Sequence, residues 1–290
     1  MKSKFDIMKS AFNGTLTKED RDFYINNYMS FGEKKIGKPF WEMTDSENRE
    51  YEVFEYNNSI GNLQGYNCEI CKNKGLISFL KQDYIFYRNC DCINIRNNIE
   101  KLKNCGLGNL LNIYTFNSYN TNFEWQKIIK QKALEFLNNQ DNCFCLLGQS
   151  GSGKSHICTA LAKELLYKGY DLKYMVWVND ALKLKQIKMK DDIYAKEMKK
   201  YKDAEVLYID DFFKGSETPT SADISIAFEI INYRYNKTRA EKKRLITIIS
   251  SEKIIEDLIQ IDEALAGRIK ELSKDNLICI TGKEKNYRFS

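Results

Sequence analysis

An eight-residue run near the middle of the chain combines glycines, a lysine and a serine in an order that suits phosphate binding. It matches the GxxxxGK[ST] pattern at every fixed position. The run reads Gly148, Gln149, Ser150, Gly151, Ser152, Gly153, Lys154, Ser155. Glycines let backbone N–H groups turn toward phosphate oxygens, and the N-terminus of a following helix adds a favourable dipole. Lys154 would contact the β- and γ-phosphates of a nucleotide, and the Ser155 hydroxyl would bind Mg²⁺. His156, the only histidine, follows directly; we count it among the nucleotide-contacting positions but expect it to be structural rather than catalytic.

Two adjacent carboxylates end the apolar run VLYIDD at 206–211. Such a run reads as a strand, and in sheets with this phosphate loop the carboxyl end of the strand lies beside the loop. Asp210 fits the role of holding hydrated Mg²⁺, and Asp211 that of orienting and deprotonating the attacking water. The alternative is that Asp211 only caps the following turn, since many ATPases with this loop carry Glu there.

Two further segments carry polar residues suited to a nucleotide site. The run RLITIISSE at 244–252 reads as a strand ending in Ser250 and Ser251, either of which can contact the γ-phosphate or the lytic water. Alternatively, these serines only cap a turn or helix. The segment ALAGRI places Arg268 on a helix, where it can act on a neighbouring subunit's nucleotide or simply lie on the surface.

Four of the nine cysteines form two close pairs, Cys68 with Cys71 and Cys90 with Cys92. The β-rich runs LISFL and DYIFYR between the pairs predict a hairpin that brings the four thiolates together. Four thiolates form the tetrahedral site that suits Zn²⁺. Four unliganded thiols and an Fe–S cluster are the alternatives.

Eight lysines lie in the segment 180–203, which contains no arginine. Lysines neutralise phosphates without reading bases, so this segment is a candidate for binding single-stranded DNA without sequence specificity. A solvated helix face explains the segment equally well.

Chain length, hydrophobic content and net charge limit the kind of protein that can position these residues. The 290 residues allow roughly two domains, and 43% hydrophobic residues argue against global disorder. No stretch approaches the ~18 apolar residues of a membrane span, and the N-terminus lacks the apolar region of a signal peptide. We therefore expect a cytoplasmic protein with no membrane partner. A net charge of +5 permits nucleic-acid binding without requiring it.

Five short apolar runs alternate with helix-like segments from about residue 105 onward. This alternation is typical of βαβ units on a parallel sheet, which is an α/β fold. The runs are 143–148, 171–177, 205–210, 244–250 and 276–282. Earlier in the chain, residues 16–31 predict a helix capped by Thr17 with an aromatic face, which either packs internally or docks a partner.

The combination of GQSGSGKS, VLYIDDFFKG, IISSE and ALAGRI resembles the AAA+ ATPases of the DnaC/DnaI helicase-loader group, particularly phage-encoded versions. The related IstB transposition ATPases share much of this core. The resemblance implies a P-loop sheet of the ASCE type in strand order 5-1-4-3-2, ATP or ADP with Mg²⁺, and self-association through the ATP sites. Members of the group bind a hexameric replicative DNA helicase and place it on single-stranded DNA.

The resemblance assigns a role to six residues. The Walker A roles fall to Lys154 and Ser155, the Walker B roles to Asp210 and Asp211, and the sensor 1 and arginine-finger roles to Ser251 and Arg268. DnaI-type loaders also carry an amino-terminal zinc-binding domain that contacts the helicase, which strengthens the zinc interpretation. We therefore expect an N-terminal helical, partner-docking region at 1–65, a zinc module at 66–104 and the AAA+ ATPase domain at 105–290.

The sequence departs from the AAA+ pattern at three places. Asp211 replaces the usual Glu, although an Asp pair is common within the loader group. Ser251 and Glu252 stand where the family often has Asn. Only 22 residues follow Arg268, too few for a full helical lid, and Arg288 is a weak candidate for the sensor 2 role.

These features favour an ATP-dependent helicase loader that acts during replication initiation. The alternatives are an IstB-like transposition ATPase and a zinc-containing scaffold with weak ATPase activity, which Asp211 in place of Glu keeps open. A metabolite kinase would need a lid arginine cluster and an acceptor pocket, and the sequence indicates neither.

Overall fold

The computed structural model describes residues 3–103, 107–139, 142–215, 218–240 and 244–286. The chain divides into two compact units, Met1–Arg96 and Asn97–Ser290. The three-part division at 65 and 104 stays a prediction, and the sensor 2 candidate Arg288 lies outside the described residues.

Helices form the beginning of the first unit. Thr17 caps one of them by accepting a hydrogen bond of 3.2 Å from the Asp20 N–H, as predicted. The helix is shorter than predicted, because Ser30 caps a new helix whose Glu33 accepts the Ser30 N–H at 2.7 Å. The helices are α1 (Lys4–Phe12), α2 (Lys18–Asn27), α3 (Phe31–Ile36) and α4 (Asp45–Asn58).

Part of the predicted aromatic face packs inside the first unit. Tyr24 is buried, its hydroxyl donates to Glu33 at 3.0 Å, and its ring meets Trp41 edge-on with centroids 4.5 Å apart. Phe31, at the end of the same predicted face, is 42% exposed. Internal packing therefore accounts for Tyr24.

An antiparallel hairpin follows, made of β1 (Leu76–Lys81) and β2 (Tyr84–Asn89). Both residues of its two-residue turn have positive φ, which gives the twist that suits a tight hairpin. The hairpin packs on α4, where the Asn57 amide donates to the Ser78 carbonyl at 2.9 Å and accepts the Ser78 N–H at 3.0 Å. The predicted hairpin between the cysteine pairs is thus confirmed.

The second unit is built on a five-stranded parallel sheet. The strands are β3 (Cys143–Gly148), β4 (Leu172–Val176), β5 (Val206–Asp210), β6 (Ile246–Ser251) and β7 (Leu277–Ile280). Their order is β4-β5-β6-β3-β7, and every pairing is parallel. Counted in chain order from the opposite edge, this is 5-1-4-3-2, so the predicted α/β fold and strand order are confirmed.

Helices cover both faces of this sheet. Successive residues of a strand point to opposite sides, and the strands carry apolar residues on both sides that helices must bury. Cys145 and Leu147 of β3 belong to the core on one side, and Phe144 packs on Phe136 on the other, with ring centroids 5.4 Å apart. Among the described residues, no helix combines the length and apolar character needed to cross a membrane. The helices are α5 (Cys92–Lys103), in which the division between the units falls, α6 (Leu110–Ile113), α7 (Glu124–Asn138), α8 (Lys154–Tyr167), α9 (Trp177–Ile187), α10 (Asp191–Asp203), α11 (Ser221–Ala240), α12 (Ile255–Ile261) and α13 (Glu263–Ser273).

Candidate functional site

The phosphate loop connects the end of β3 to the start of α8. Its three glycines have positive φ, +101° at Gly148, +71° at Gly151 and +85° at Gly153, a region that side chains disfavour. A Cβ atom at Gly148 would lie 2.2 Å from the Ile280 carbonyl oxygen, so β7 also requires glycine here. The motif therefore has the backbone geometry that the sequence predicted.

Lys154 lies over the curve of the loop. Its amine donates to the carbonyl oxygens of Gly148 at 2.8 Å and Gln149 at 2.6 Å. The residue is only 7% exposed, and burial lowers the pKa of its amine. A buried cation bonded to neutral carbonyl groups is well suited to binding an anionic phosphate.

The predicted magnesium ligands lie next to each other. The Ser155 hydroxyl donates to Asp210 Oδ1 at 3.0 Å, and the Ser250 hydroxyl donates to the same oxygen. The Tyr174 hydroxyl donates to Asp210 Oδ2 at 3.0 Å, and burial, followed by the charge of Asp210, raises the pKa of Tyr174. Hydroxyl and carboxylate oxygens are the ligands that Mg²⁺ prefers, so Ser155 and Asp210 fit this ion.

Asp211 leaves the line of β5 at a sharp turn. Its φ is +54°, in the left-handed region that Asp and Asn enter more readily than other residues with a side chain. The Asp211 N–H donates to the Ser250 hydroxyl at 3.2 Å, which holds this turn. Both carboxylate oxygens lie 3.2 Å from the amine of Lys214. The candidate base is therefore paired with a lysine of its own turn.

The two serines at the tip of β6 point in different directions. Ser250 reaches Asp210, whereas the Ser251 hydroxyl donates to the Phe212 carbonyl at 2.6 Å and accepts the Lys253 N–H at 3.1 Å. Ser251 thus ties β6 to the turn after β5. The sensor 1 role of Ser251 stays a prediction, and Ser250 is the serine that contacts Asp210, one of the two predicted magnesium ligands.

A cavity of about 290 Å³ lies at this edge of the sheet. It brings together six of the predicted residues and three that sequence analysis missed. The predicted residues are Gly151, Gly153, Lys154, Ser155, His156 and Asp211, and the missed ones are Tyr114, Lys214 and Glu252. Lys214 and Glu252 stand inside the quoted motifs VLYIDDFFKG and IISSE, which is the only signal that could have singled them out.

Glu252 connects three parts of the site. Its Oε1 accepts a hydrogen bond of 2.7 Å from the Ser150 hydroxyl of the phosphate loop and lies 3.3 Å from the Lys214 amine. Burial opposes ionisation, but Ser150 and Lys214 together lower the pKa of Glu252. The tip of β6, the phosphate loop and the turn after β5 therefore share one network of charges.

His156 holds the segment before α7 against α8. Its Nε2 lies 2.9 Å from the Thr115 carbonyl oxygen and therefore carries the proton of that hydrogen bond. The imidazole stacks on Tyr114 with centroids 4.7 Å apart, and burial lowers the pKa of His156. These contacts fit the predicted structural role, and the ring also lines the cavity.

Arg268 does not line this cavity. It lies on α13, where its guanidinium donates to Asn232 Oδ1 at 2.8 Å and to the Ala264 carbonyl at 2.9 Å. The guanidinium also lies over the Phe228 ring, 4.6 Å from its centroid. Phe228 and Asn232 line a larger groove of about 860 Å³ that contains none of the predicted nucleotide-binding residues.

The lysines of 180–203 lie on α9, α10 and the segment between them. Five of the eight form ion pairs within 4.0 Å, which reduces the positive charge available to a phosphate backbone. These pairs are Lys183 with Asp180, Lys185 with Asp223, Lys199 with Asp203, Lys200 with Glu197 and Lys202 with Glu229.

The four cysteines of the first unit form a buried cluster in which all sulfur atoms lie within 4.8 Å of one another. Cys68 Sγ is 3.7 Å from Cys90 Sγ, and Cys71 Sγ is 3.5 Å from Cys92 Sγ. The Gly75 N–H donates to Cys71 Sγ at 3.2 Å and, against the effect of burial, helps to lower the pKa of Cys71 to about 6. Four convergent thiols fit a tetrahedral Zn²⁺ site, as predicted.

Comparisons with known proteins place these features in a family. Residues 87–269 match the family described as IstB-like ATP binding protein. The chain is 30% identical over 240 residues to phage-like element PBSX protein XkdC of Bacillus subtilis (strain 168), covering 77% of this chain and 86% of that protein. It is 32% identical over 147 residues to uncharacterized protein YqaM of the same strain, covering 49% of this chain and 44% of that protein.

Two solved structures are also similar. The crystal structure of the DnaC helicase loader has a TM-score of 0.49 and 21% identity, covering 58% of this chain and 97% of that one. The crystal structure of DnaI has a TM-score of 0.46 and 18% identity, covering 60% and 90%. The family match spans more than half of the chain and contains the phosphate loop, the Asp pair and Arg268. The chain belongs to the family of IstB-like ATP binding proteins.

Proposed function

We propose that this protein is an ATP-dependent loader that binds the hexameric replicative helicase and delivers it to single-stranded DNA during replication initiation. The observation that carries the proposal is the pairing, in one chain, of a phosphate loop beside Ser155 and Asp210 with a buried four-cysteine cluster in a separate unit. This combination is the one implied by the resemblance to DnaI-type loaders. The reduced thiols suit a cytoplasmic protein.

In this proposal the chain hydrolyses ATP. Lys154 binds the β- and γ-phosphates, and Ser155 and Asp210 would hold Mg²⁺, an ion that would supply neutralisation of the phosphate charge. Asp211 orients a water molecule toward the γ-phosphorus and accepts its proton. The water oxygen forms a bond to the γ-phosphorus as the bond between that phosphorus and the bridging oxygen breaks, and ADP and inorganic phosphate leave.

Self-association completes the site. Arg268 is held on α13 by Asn232 and Phe228, away from the cavity of its own chain. Arg268 of one subunit therefore acts as the arginine finger at the nucleotide site of its neighbour, where it stabilises the charge of the transition state. ATP would then favour assembly, and hydrolysis would release the helicase.

Single-stranded DNA is the second partner in this proposal. The lysines on α9 and α10 supply the charge, and the ion pairs that hold five of them leave fewer lysines to contact phosphates, which predicts modest affinity and a shallow dependence of that affinity on salt. No base-reading motif accompanies them, so binding without sequence specificity is expected.

Native mass spectrometry with the replicative helicase from the same genome tests the proposal. The full chain is mixed with the helicase in ATP, in ADP and without nucleotide, and Lys154→Ala protein is the matched control. A defined complex whose amount depends on ATP in the wild type but not in the control supports a loader. If no complex forms in any nucleotide state, the loader function is wrong and the IstB-like transposition ATPase becomes the better explanation. If the same amount of complex forms in every nucleotide state and with the Lys154→Ala protein, the protein is a scaffold rather than an ATP-dependent loader.

A further inference from the structure

We propose that Lys214 senses the terminal phosphate of the bound nucleotide. Its amine moves from Asp211 to the γ-phosphate and so releases the Asp211 carboxylate to contact water. This inference rests on the proposed ATPase function and adds a residue and a switching step to it. The sequence motifs assign no role to Lys214.

The geometry of Lys214 is the first support. Its amine lies 3.2 Å from each carboxylate oxygen of Asp211 and 3.3 Å from Glu252 Oε1. Its side chain is 37% exposed and lines the same cavity as Lys154. A half-exposed lysine on a flexible stem can change partners within such a cavity, because its three donors rotate freely.

The charges around the cavity are the second support. Lys154 and Lys214 are its cationic lining residues, and Asp211 and Glu252 are its anionic ones. The two lysines differ in their partners, since Lys154 donates to neutral carbonyl groups and Lys214 is paired with carboxylates. A triphosphate that enters this cavity adds negative charge beside two carboxylates. Lys214 is the cation placed to offset that repulsion.

The pairing also determines what Asp211 can do. Both Asp211 oxygens face the Lys214 ammonium group, so this contact occupies the positions from which the carboxylate would accept a hydrogen bond from water. The Asp211 backbone is held by the Ser250 hydroxyl, so only side chains need to move when Lys214 changes partner. ADP lacks the γ-phosphate and leaves Lys214 on Asp211, and this difference couples the nucleotide state to the base.

Glu252 keeps its position during this exchange. It accepts a hydrogen bond of 2.7 Å from Ser150, so it remains attached to the phosphate loop when Lys214 moves. Lys214 therefore has one fixed carboxylate partner and one that it releases. This arrangement predicts that Lys214 contributes to the preference for ATP over ADP.

The test measures the affinities of a non-hydrolysable ATP analogue and of ADP, each with Mg²⁺, by calorimetry on the full chain. The variants are Lys214→Met, the polar Lys214→Gln in case the first does not fold, and the charge-conserving Lys214→Arg. Lys127→Met is the matched control, since Lys127 also forms an i,i+3 ion pair of 3.2 Å, with Glu124, but its side chain is exposed and does not line the cavity.

Removing the Lys214 charge should weaken binding of the ATP analogue roughly tenfold and change ADP binding less than about twofold. Lys214→Arg should keep most of the preference, and Lys127→Met all of it. Equal weakening of both nucleotides would mean a structural role and overturn the inference, as would no change in either. Failure of the wild-type protein to bind the ATP analogue would instead contradict the proposed function itself.

Discussion

The Ser155 hydroxyl donates a hydrogen bond of 3.0 Å to Asp210, although Ser155 lies at the start of α8, which follows β3, and Asp210 ends β5, a strand that is not a neighbour of β3 in the sheet. β6 runs between β5 and β3, and its Ser250 donates to the same oxygen of Asp210. The ends of β5 and β6 and the start of α8, the helix that follows β3, therefore bring polar side chains to one point at the carboxyl edge of the sheet. This is the position where open parallel sheets bind their ligands.

Lys154→Ala should weaken ATP binding roughly 100-fold, because the variant loses the buried cation that faces the phosphates. Calorimetry with Mg²⁺ and a non-hydrolysable analogue measures the loss. Lys127→Ala, which removes an exposed lysine of α7, is the control and should bind normally. Full affinity in the Lys154→Ala protein would contradict the assignment of the phosphate loop.

Asp211→Asn should bind ATP with affinity close to wild type and hydrolyse it roughly 100-fold more slowly, since the amide cannot accept the proton of water. Steady-state phosphate release checks this expectation. Asp203→Asn is a suitable control, because Asp203 pairs with Lys199 at the end of α10 and does not line the cavity. Hydrolysis by Asp211→Asn at the wild-type rate would show that Asp211 only shapes the turn.

Arg268→Ala should bind ATP normally and lose hydrolysis. Arg239→Ala is the matched control, because Arg239 also bridges α11 and α13 by pairing with Glu271 at 2.9 Å and lies over Tyr235. Mixing Arg268→Ala with Lys154→Ala subunits should restore part of the activity, since each supplies what the other lacks. If Arg268→Ala alone hydrolyses ATP like the wild type, the role in a neighbouring site is wrong.

The cysteine cluster should hold about one zinc ion per chain, measured by elemental analysis of the purified protein. Cys71→Ser should lose the metal and lower the melting temperature of the first unit, because a structural zinc contributes directly to folding. Cys279→Ser, which changes an exposed cysteine of β7, should keep both. A metal-free protein with unchanged stability would argue against a structural site.

Arg234 should be important for stability rather than activity. Its guanidinium is fully buried and donates to the Thr247 hydroxyl and to four carbonyl oxygens between 2.7 and 3.3 Å. Arg234→Leu leaves these acceptors without donors and should cost on the order of 3 kcal/mol, seen as a lower urea midpoint. Arg239→Leu, on the exposed side of the same helix, should change the midpoint little.

Much of the fold could be predicted because its signals are local. Alternating apolar runs and helices indicate a parallel sheet, and β3 begins and ends at the predicted residues 143 and 148. The phosphate loop carries its geometry in its glycines, since positive φ is a property of the residue itself. The hairpin and the cysteine cluster could also be predicted, because the two cysteine pairs and the strands between them lie close together in the sequence.

The partners of the site residues could not be predicted, because they depend on how distant segments pack. Ser250 and Ser251 are neighbours of the same type, and only the register of β6 in the sheet decides which one faces Asp210. The ion pairs of the lysine segment with Asp223 and Glu229 could not be predicted from the sequence either, because those carboxylates belong to a different helix, α11.

The sequence by itself determined the phosphate loop, the Asp pair, the order of strands and helices along the chain and the four clustered thiols, since each depends on residues close together in the chain. Only the tertiary structure placed Lys214 between Asp211 and Glu252 and held Arg268 against α11. The physical reason is that an ion pair or a stacking contact is decided by distance in space, and side chains far apart in sequence meet only when the sheet and its helices have packed.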